Sequence, residues 1–294
     1  MIKQSLFFSS PVHLSLKDNQ IVIAWKDKDD CVTRPIEDIG TIIIENQMVK
    51  VTIPLLNKLV KNNVAVIFCD NDFMPTSMLM GLDTNSTQTE SIKAQLNASE
   101  PLKKQAWKQI IERKIKNQAA VLAMNWKEGD ALKPYYSNVK SGDSDNREGI
   151  AAKIYWGKLF SSEFKREREG PPPNNLLNYG YSILRAAMSR ALLGSGLLPN
   201  LGIFHRGRYN AFPLADDIME PYRPYVDNII FSLHKNGAIS LDKNTKCGII
   251  RLLSQDVTIG NMTRPLQIAL TTTSASFVKY LLGETKRISL PVIE

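Results

Sequence analysis

The sequence predicts an α+β, multidomain chain: an N-terminal β-rich domain joined by a flexible linker to a C-terminal all-α domain. Three observations point there. Up to residue 70 the apolar residues alternate or run in short β-branched stretches, and beyond residue 99 they recur at helical spacing. Between the two lies a polar, turn-rich segment. The expected boundaries are 1–75 for the β-rich domain, 76–98 for the linker and 99–294 for the helical domain.

Each element has its own warrant. Val12-His13-Leu14-Ser15-Leu16 alternates, Lys17-Asp18-Asn19-Gln20 supplies a turn, and Ile21-Val22-Ile23-Ala24-Trp25 follows as a second strand. Thr41-Ile42-Ile43-Ile44, bounded by Gly40 and Asn46, reads as a buried strand. Ile53, Leu56, Leu59 and Val60 fall at helical spacing, and Val64 to Cys69 returns to strand. Met74-Pro75-Thr76 and the Gly81–Thr89 stretch are turn-rich, which makes this the expected linker, with a little strand of its own. Ser99 precedes Glu100-Pro101 as a helix cap, and Leu102, Ala106, Ile110, Ile111, Ile115, Ala119 and Leu122 continue the helix. Residues 127–145 read as a loop, and helical patterns follow at 147–164, 174–194, 213–236 and 247–283.

Composition narrows the function. The chain has 294 residues with 37 Lys+Arg against 29 Asp+Glu, a net charge of +8. Hydrophobic content of 43% excludes a mostly disordered chain. No apolar run approaches the ~18–20 residues a membrane span needs. Leu6-Phe7-Phe8 is too short for a signal-peptide core. Cys31, Cys69 and Cys247 are far apart with no CxxC pair, which argues against a disulfide framework or a zinc knuckle. A soluble, cytoplasmic protein is expected. Charge is uneven: residues 1–90 carry 8 basic and 11 acidic side chains, residues 91–294 carry 29 and 18. A basic C-terminal two-thirds suggests a polyanion partner, nucleic acid before membrane. Lys103, Lys104, Lys108, Arg113, Lys114 and Lys116 share one helix, whose charged face is either plain solvated surface or a track for a phosphate backbone.

The three histidines are unequal. His13 alternates within a strand and reads as structural, and His234 sits late in a helix where it meets the dipole. His205 lies in Gly202-Ile203-Phe204-His205-Arg206-Gly207-Arg208, followed by a helix carrying Asp216, Asp217 and Glu220. Asp217 and Glu220 are i and i+3, so both project from one helical face. First-turn acids can simply complement the helix dipole, which accounts for Asp216 better than for Glu220. A histidine with two or three carboxylates also suits Mg²⁺, or Mn²⁺ given the imidazole. Beside Arg206, Arg208 and Arg223, such an ion points to phosphodiester chemistry. Glu148, opening the helix after Asn146-Arg147, is the best candidate for a third carboxylate, but from the residues alone it reads first as an ordinary helix-capping acid.

Three segments carry a resemblance. They are Asn146-Arg147-Glu148-Gly149 with Ala151-Ala152-Lys153-Ile154-Tyr155-Trp156, then Leu177-Asn178-Tyr179-Gly180-Tyr181, and Gly202-Ile203-Phe204-His205 through Asp216-Asp217-Ile218-Met219-Glu220-Pro221-Tyr222-Arg223-Pro224. Together with Ile36-Glu37-Asp38-Ile39-Gly40 they resemble the CRISPR-associated spacer-acquisition integrase, the large catalytic subunit of the CRISPR adaptation complex, in its type II-like form. The resemblance spans nearly the whole chain. It implies a metal site of Glu148, His205 and Glu220, with Asp217 as a further catalytic acid and Mg²⁺ or Mn²⁺ as cofactor. It also implies a homodimer that binds double-stranded protospacer and repeat DNA. Two such dimers would flank a small ferredoxin-like adaptation protein in a heterohexamer. The implied reaction is transesterification, a 3′-hydroxyl of short DNA attacking a phosphodiester at a repeat border, with water giving endonuclease activity instead. Arg206, Arg208 and Arg223 near the chemistry, and Lys103, Lys104 and Lys108 farther off, are the DNA-contact candidates; the family motif does not carry them. A metal-dependent nuclease acting on branched or damaged DNA in repair would use the same ligands. A non-catalytic DNA-binding scaffold would leave the clustering of His205, Asp217 and Glu220 accidental.

Overall fold

The computed structural model describes residues 3–25, 30–81, 85–205 and 207–294. The chain divides into two compact units, Met1–Ser86 and Thr87–Glu294.

The first unit contains β1 (Gln4–Phe8), β2 (His13–Lys17), β3 (Gln20–Ala24), β4 (Cys31–Pro35), β5 (Ile39–Ile44), β6 (Lys50–Val51), α1 (Ile53–Lys61), β7 (Ala65–Cys69) and β8 (Pro75–Leu79). They form two four-stranded sheets, ordered β1-β5-β7-β8 and β4-β3-β2-β6. β1, β5 and β7 are parallel, and β8 adds antiparallel. All of β5 is buried, as its β-branched run predicts for a strand covered on both faces. The predicted turn joins β2 to β3, with Asp18 at φ 48° and Asn19 at φ 60°. Those are the residue types that tolerate this conformation at a two-residue hairpin. Leu14, Ile21, Ile42, Leu55 and Leu59 pack into one apolar core.

The second unit contains α2 (Gln88–Asn97), α3 (Glu100–Trp126), α4 (Lys133–Tyr136), α5 (Arg147–Leu159), α6 (Asn174–Gly194), α7 (Pro213–Met219), α8 (Arg223–Lys235), α9 (Lys243–Ile250), β9 (Asp256–Ile259), β10 (Met262–Pro265), α10 (Leu266–Leu281) and β11 (Pro291–Val292). Ser99 Oγ accepts from the Leu102 amide at 3.4 Å, the cap expected for α3. No helix among the described residues is long and apolar enough to cross a membrane.

Four expectations need correction. The segment 76–98 is divided between the units: its strand, β8, belongs to the first unit's sheet, and an unexpected helix, α2, belongs to the second, with the division at Ser86/Thr87. The helix escaped notice because a glutamine anchors it in place of an apolar stripe. Gln95 Nε2 donates to the Leu198 and Leu201 carbonyls (2.9 and 3.0 Å), and its Oε1 accepts from Leu198 N–H at 3.0 Å. The helical domain also carries a small sheet, β10-β9-β11, which splits the 247–283 pattern; Val257-Thr258-Ile259 and the Gly260-Asn261 turn are its sequence marks. The loop 127–145 holds α4 and single helical turns. Finally, the 213–236 helix breaks at a single turn, Glu220–Tyr222, which contains Pro221 and is followed by Pro224 in the first turn of α8.

α6 runs through the centre of the helical unit, and Gly180 lets α8 approach it. An added Cβ there would meet Val226 Cγ1 at 2.5 Å and Ile230 Cδ1 at 3.2 Å. Gly180→Ala is therefore expected to destabilise the chain by about 1–3 kcal/mol through overpacking. That outweighs the ~1 kcal/mol an alanine gains over glycine in a helix. Urea unfolding checks this, and a midpoint at or above wild type would refute the close-packing account.

Candidate active site

Five elements build the site: the middle of α3, the first turn of α5, the loop before α7, α7 itself, and the Glu220–Tyr222 turn. α5 opens on Asn146, at φ 52°, whose side chain accepts from the Gly149 amide at 3.2 Å. Asp143 takes the next amides, Arg147 N–H at 2.8 Å and Glu148 N–H at 3.0 Å. Burial pushes the Asp143 carboxyl up, against the pull of those two bonds. Capping is thus done by Asn146 and Asp143, and the Glu148 side chain is released from it.

That side chain meets Lys114. Lys114 Nζ lies 2.5 Å from Glu148 Oε1 and 2.5 Å from Glu220 Oε2. Burial disfavours the ammonium, but the two carboxylates outweigh it and hold it above the usual lysine value. Glu220 is buried and also pairs with Arg223, Nε to Oε1 at 3.0 Å. Burial alone would push its carboxyl up; Arg223 and Lys114 instead hold it below the usual carboxylate range. Glu220 Oε2 nevertheless receives no aligned hydrogen bond. The charges of Arg223 and Lys114 hold it, with the Lys114 ammonium in close contact at that oxygen.

Asp217 organises the loop. It is buried and accepts three backbone N–H groups, from Ile203 (2.7 Å), Phe204 (3.0 Å) and His205 (3.1 Å). Its Oδ1 also lies 2.6 Å from His205 Nδ1. That hydrogen bond raises the imidazole pKa; burial opposes it, and the charges of Asp217, Glu220 and Glu148 add to it. His205 is therefore within electrostatic reach of both glutamates. The neighbouring acid does something else: Asp216 takes Arg185 in a two-pronged pair (2.7 and 3.1 Å) and Asn210 Nδ2 at 2.8 Å.

The structure thus brings Glu148, Glu220, His205 and Asp217 into one neighbourhood. Among the described residues, no three of His, Cys, Asp or Glu close around a single metal position, and the Lys114 ammonium bridges the two glutamates. The DNA-contact candidates divide. Lys103 and Arg208 line a 410 Å³ groove with His205, and Lys103 and Lys104 line a second hollow beside it. Lys108 is half-buried on α3. Arg223 is a counter-ion to Glu220 whose guanidinium sits 4.7 Å from the Tyr181 ring centroid. Arg206 lies outside the described residues.

Two groups escaped sequence reasoning. Lys114 belongs by composition to the charged face, yet it follows Ile110 by four residues and precedes Gln118 by four, on the buried side. A lysine in register with a core stripe was the available signal. Asp227 is buried and accepts from Tyr155 OH (3.0 Å) and Tyr181 OH. Burial pushes its pKa up to about 7. It joins α5, α6 and α8 directly behind Arg223.

The sequence profile of the family described as CRISPR associated protein Cas1 matches residues 6–256. The CRISPR-associated endonuclease Cas1 of Neisseria meningitidis serogroup C (strain 8013) is 38% identical over 263 residues, 88% of this chain and 86% of that one. Among solved structures, a casposase bound to integration product aligns with a TM-score of 0.78 at 20% identity, over 98% of this chain and 92% of that one. A chain of a Cas6-RT-Cas1–Cas2 complex aligns at 0.73 and 18% identity, over 97% of this chain and 35% of that one. These two likenesses show the fold. With the profile spanning most of its length and a relative this similar over most of both chains, the chain belongs to the Cas1 family of CRISPR-associated proteins.

Proposed function

We propose that this chain is the integrase and endonuclease of CRISPR adaptation, joining 3′-hydroxyl ends of short protospacer DNA to the borders of a CRISPR repeat. The observation that carries this is the convergence of Glu148 and Glu220 on one point, with His205 near enough to feel both charges. Family membership, a relative named an endonuclease and the likeness to a casposase bound to integration product support it.

The donor set suits Mg²⁺ or Mn²⁺. It offers two carboxylates and an imidazole, and Glu220 Oε2 is buried without an aligned hydrogen bond. Glu148, His205 and Glu220 would hold the ion, which when bound polarises the phosphate and steadies the departing oxygen. The chain's own residues do the rest. Arg223 and Lys114 keep Glu220 ionised. Asp217 engages His205 Nδ1, so the neutral imidazole keeps Nε2 as the acceptor nitrogen. Lys103 and Arg208 neutralise phosphates of the strand lying in the groove. The incoming 3′ oxygen forms its bond to phosphorus as the repeat strand's own oxygen–phosphorus bond breaks. Phosphodiesters are conserved in number, and positioning with charge supplies most of the rate. A homodimer, double-stranded DNA and a small ferredoxin-like adaptation protein in a heterohexamer belong to the same reading; the likeness to a chain of a Cas1–Cas2 complex supports the partner.

The test combines the purified protein and its small partner with a 3′-hydroxyl duplex and a supercoiled plasmid carrying the repeat array. Joining at repeat borders is expected with Mg²⁺ or Mn²⁺ and not with EDTA. His205→Ala should reduce it by roughly 100-fold or more, the scale of removing one acid–base or ligand group. Cleavage of branched DNA without joining would shift the function to repair. Joining that survived both EDTA and His205→Ala would refute the site.

A further inference from the structure

Phe204 is an anomaly beside the site. Its ring stacks on Trp107 with centroids 4.0 Å apart and planes at 6°, yet Phe204 remains 44% exposed while Trp107 is buried. One face is backed by a core indole and the other is open. His205 stands edge-on to both rings, each centroid 5.6 Å away. The backbone is fixed too, since the Phe204 amide donates to Asp217. The flat surface is therefore rigid and registered to the same carboxylate that orients His205.

Its surroundings say what it takes. The 340 Å³ hollow at Phe204 is walled by Lys103, Lys104 and Gly142, with Glu100 as the acid, itself in contact with Lys103 at 3.6 Å. Lys103 and Ile203 line both this hollow and the groove that holds His205 and Arg208, so the two are neighbours. An open aromatic face with lysines at its rim offers stacking to a base and charge to its phosphate. An apolar peptide would use the ring but bring no negative charge to the lysines.

We propose that the open face of Phe204, backed by Trp107 and rimmed by Lys103 and Lys104, is a stacking site for an unpaired nucleobase next to the DNA end that enters the His205 groove. This rests on the DNA-joining function above and adds to it a subsite for the single-stranded end. Any base offers a π-face, so the site selects for an unpaired end and not for sequence.

The experiment uses the full chain and a duplex with a short 3′ overhang carrying 2-aminopurine in the overhang, with binding followed separately by anisotropy. Wild type at saturation should quench the 2-aminopurine fluorescence. Phe204→Leu, which keeps apolar cover over Trp107, should lose the quench and bind the overhang duplex about 5- to 100-fold more weakly, the range for loss of one stacked base. Phe204→Trp should restore both. DNA bound by wild type with no quench would overturn the subsite and leave the joining function standing, as would equal quenching by Phe204→Leu. No binding of any DNA by wild type would overturn both.

Discussion

Lys114→Met is expected to lower the stability of the chain by about 3–5 kcal/mol in the presence of a chelator, the scale for breaking a buried ion pair from one side. Methionine fills much of the lysine's volume, so the loss is electrostatic and not a cavity. Without the ammonium, two carboxylates that lay 2.5 Å from one cation would face each other across it. Arg223 would still serve Glu220, but Glu148 would lose its ion pair at that point. Added Mn²⁺ should recover more stability in the variant than in wild type, because a divalent ion then meets no resident cation between the glutamates. Urea unfolding in EDTA and in MnCl₂, for both proteins, gives four numbers that decide it. Unchanged stability in EDTA would mean that Lys114 does not hold the pair together. A loss that Mn²⁺ did not touch would mean that the two glutamates do not share a metal.

Asp217→Ala should act through His205. Removing this carboxylate strands three backbone amides and one imidazole nitrogen, each costing about 1–3 kcal/mol if it stays buried. Loop relaxation toward water recovers part of this, so a net loss of about 3 kcal/mol is expected. DNA joining should fall about 10- to 100-fold more than stability alone explains, the usual cost of losing a group that orients a ligand histidine. Asp217→Asn separates the effects, since its amide oxygen can still accept from the loop while its NH₂ cannot accept from Nδ1. The pH dependence has a definite sign. The Asp217 bond raises the His205 pKa in the folded state, so its stabilisation is full below the ordinary imidazole value. It fades as pH rises through the higher folded value. In both variants that slope should flatten, and the His205 titration followed by NMR should move down. A titration that stayed put would remove Asp217 from the positioning role.

Much of this was legible in the sequence, for physical reasons. Strands with buried faces write period two or continuous β-branching, and β2, β3, β5 and β7 all do so. β4 is largely exposed, and β8 sets Met78 beside Leu79 with no alternation, so neither leaves a period-two signature. His205, Asp217 and Glu220 sit close together in sequence because one loop and one short helix carry them. Glu148 is far away, and its first-turn position looks like capping; only the resemblance raised it, before the Asn146 and Asp143 caps accounted for the helix start. Lys114 was hidden by its company among solvated lysines. Arg223 looked like a phosphate contact because nothing in a sequence distinguishes an open arginine from one locked against Glu220 and Tyr181.

Asn117, one turn beyond Lys114 on α3, donates to the Pro221 carbonyl at 2.7 Å and to the Pro291 carbonyl at 3.1 Å, and accepts from Ile293 N–H at 3.2 Å. The turn that bears Glu220 is therefore fastened directly to α3, and the same asparagine holds β11, 174 residues downstream. Removing that one amide side chain would therefore release two segments at once, the turn that carries Glu220 and the strand β11, and would leave the Pro221 and Pro291 carbonyls without their shared donor. The placing of Glu220 against Lys114 and the seating of β11 thus share a single anchor on α3.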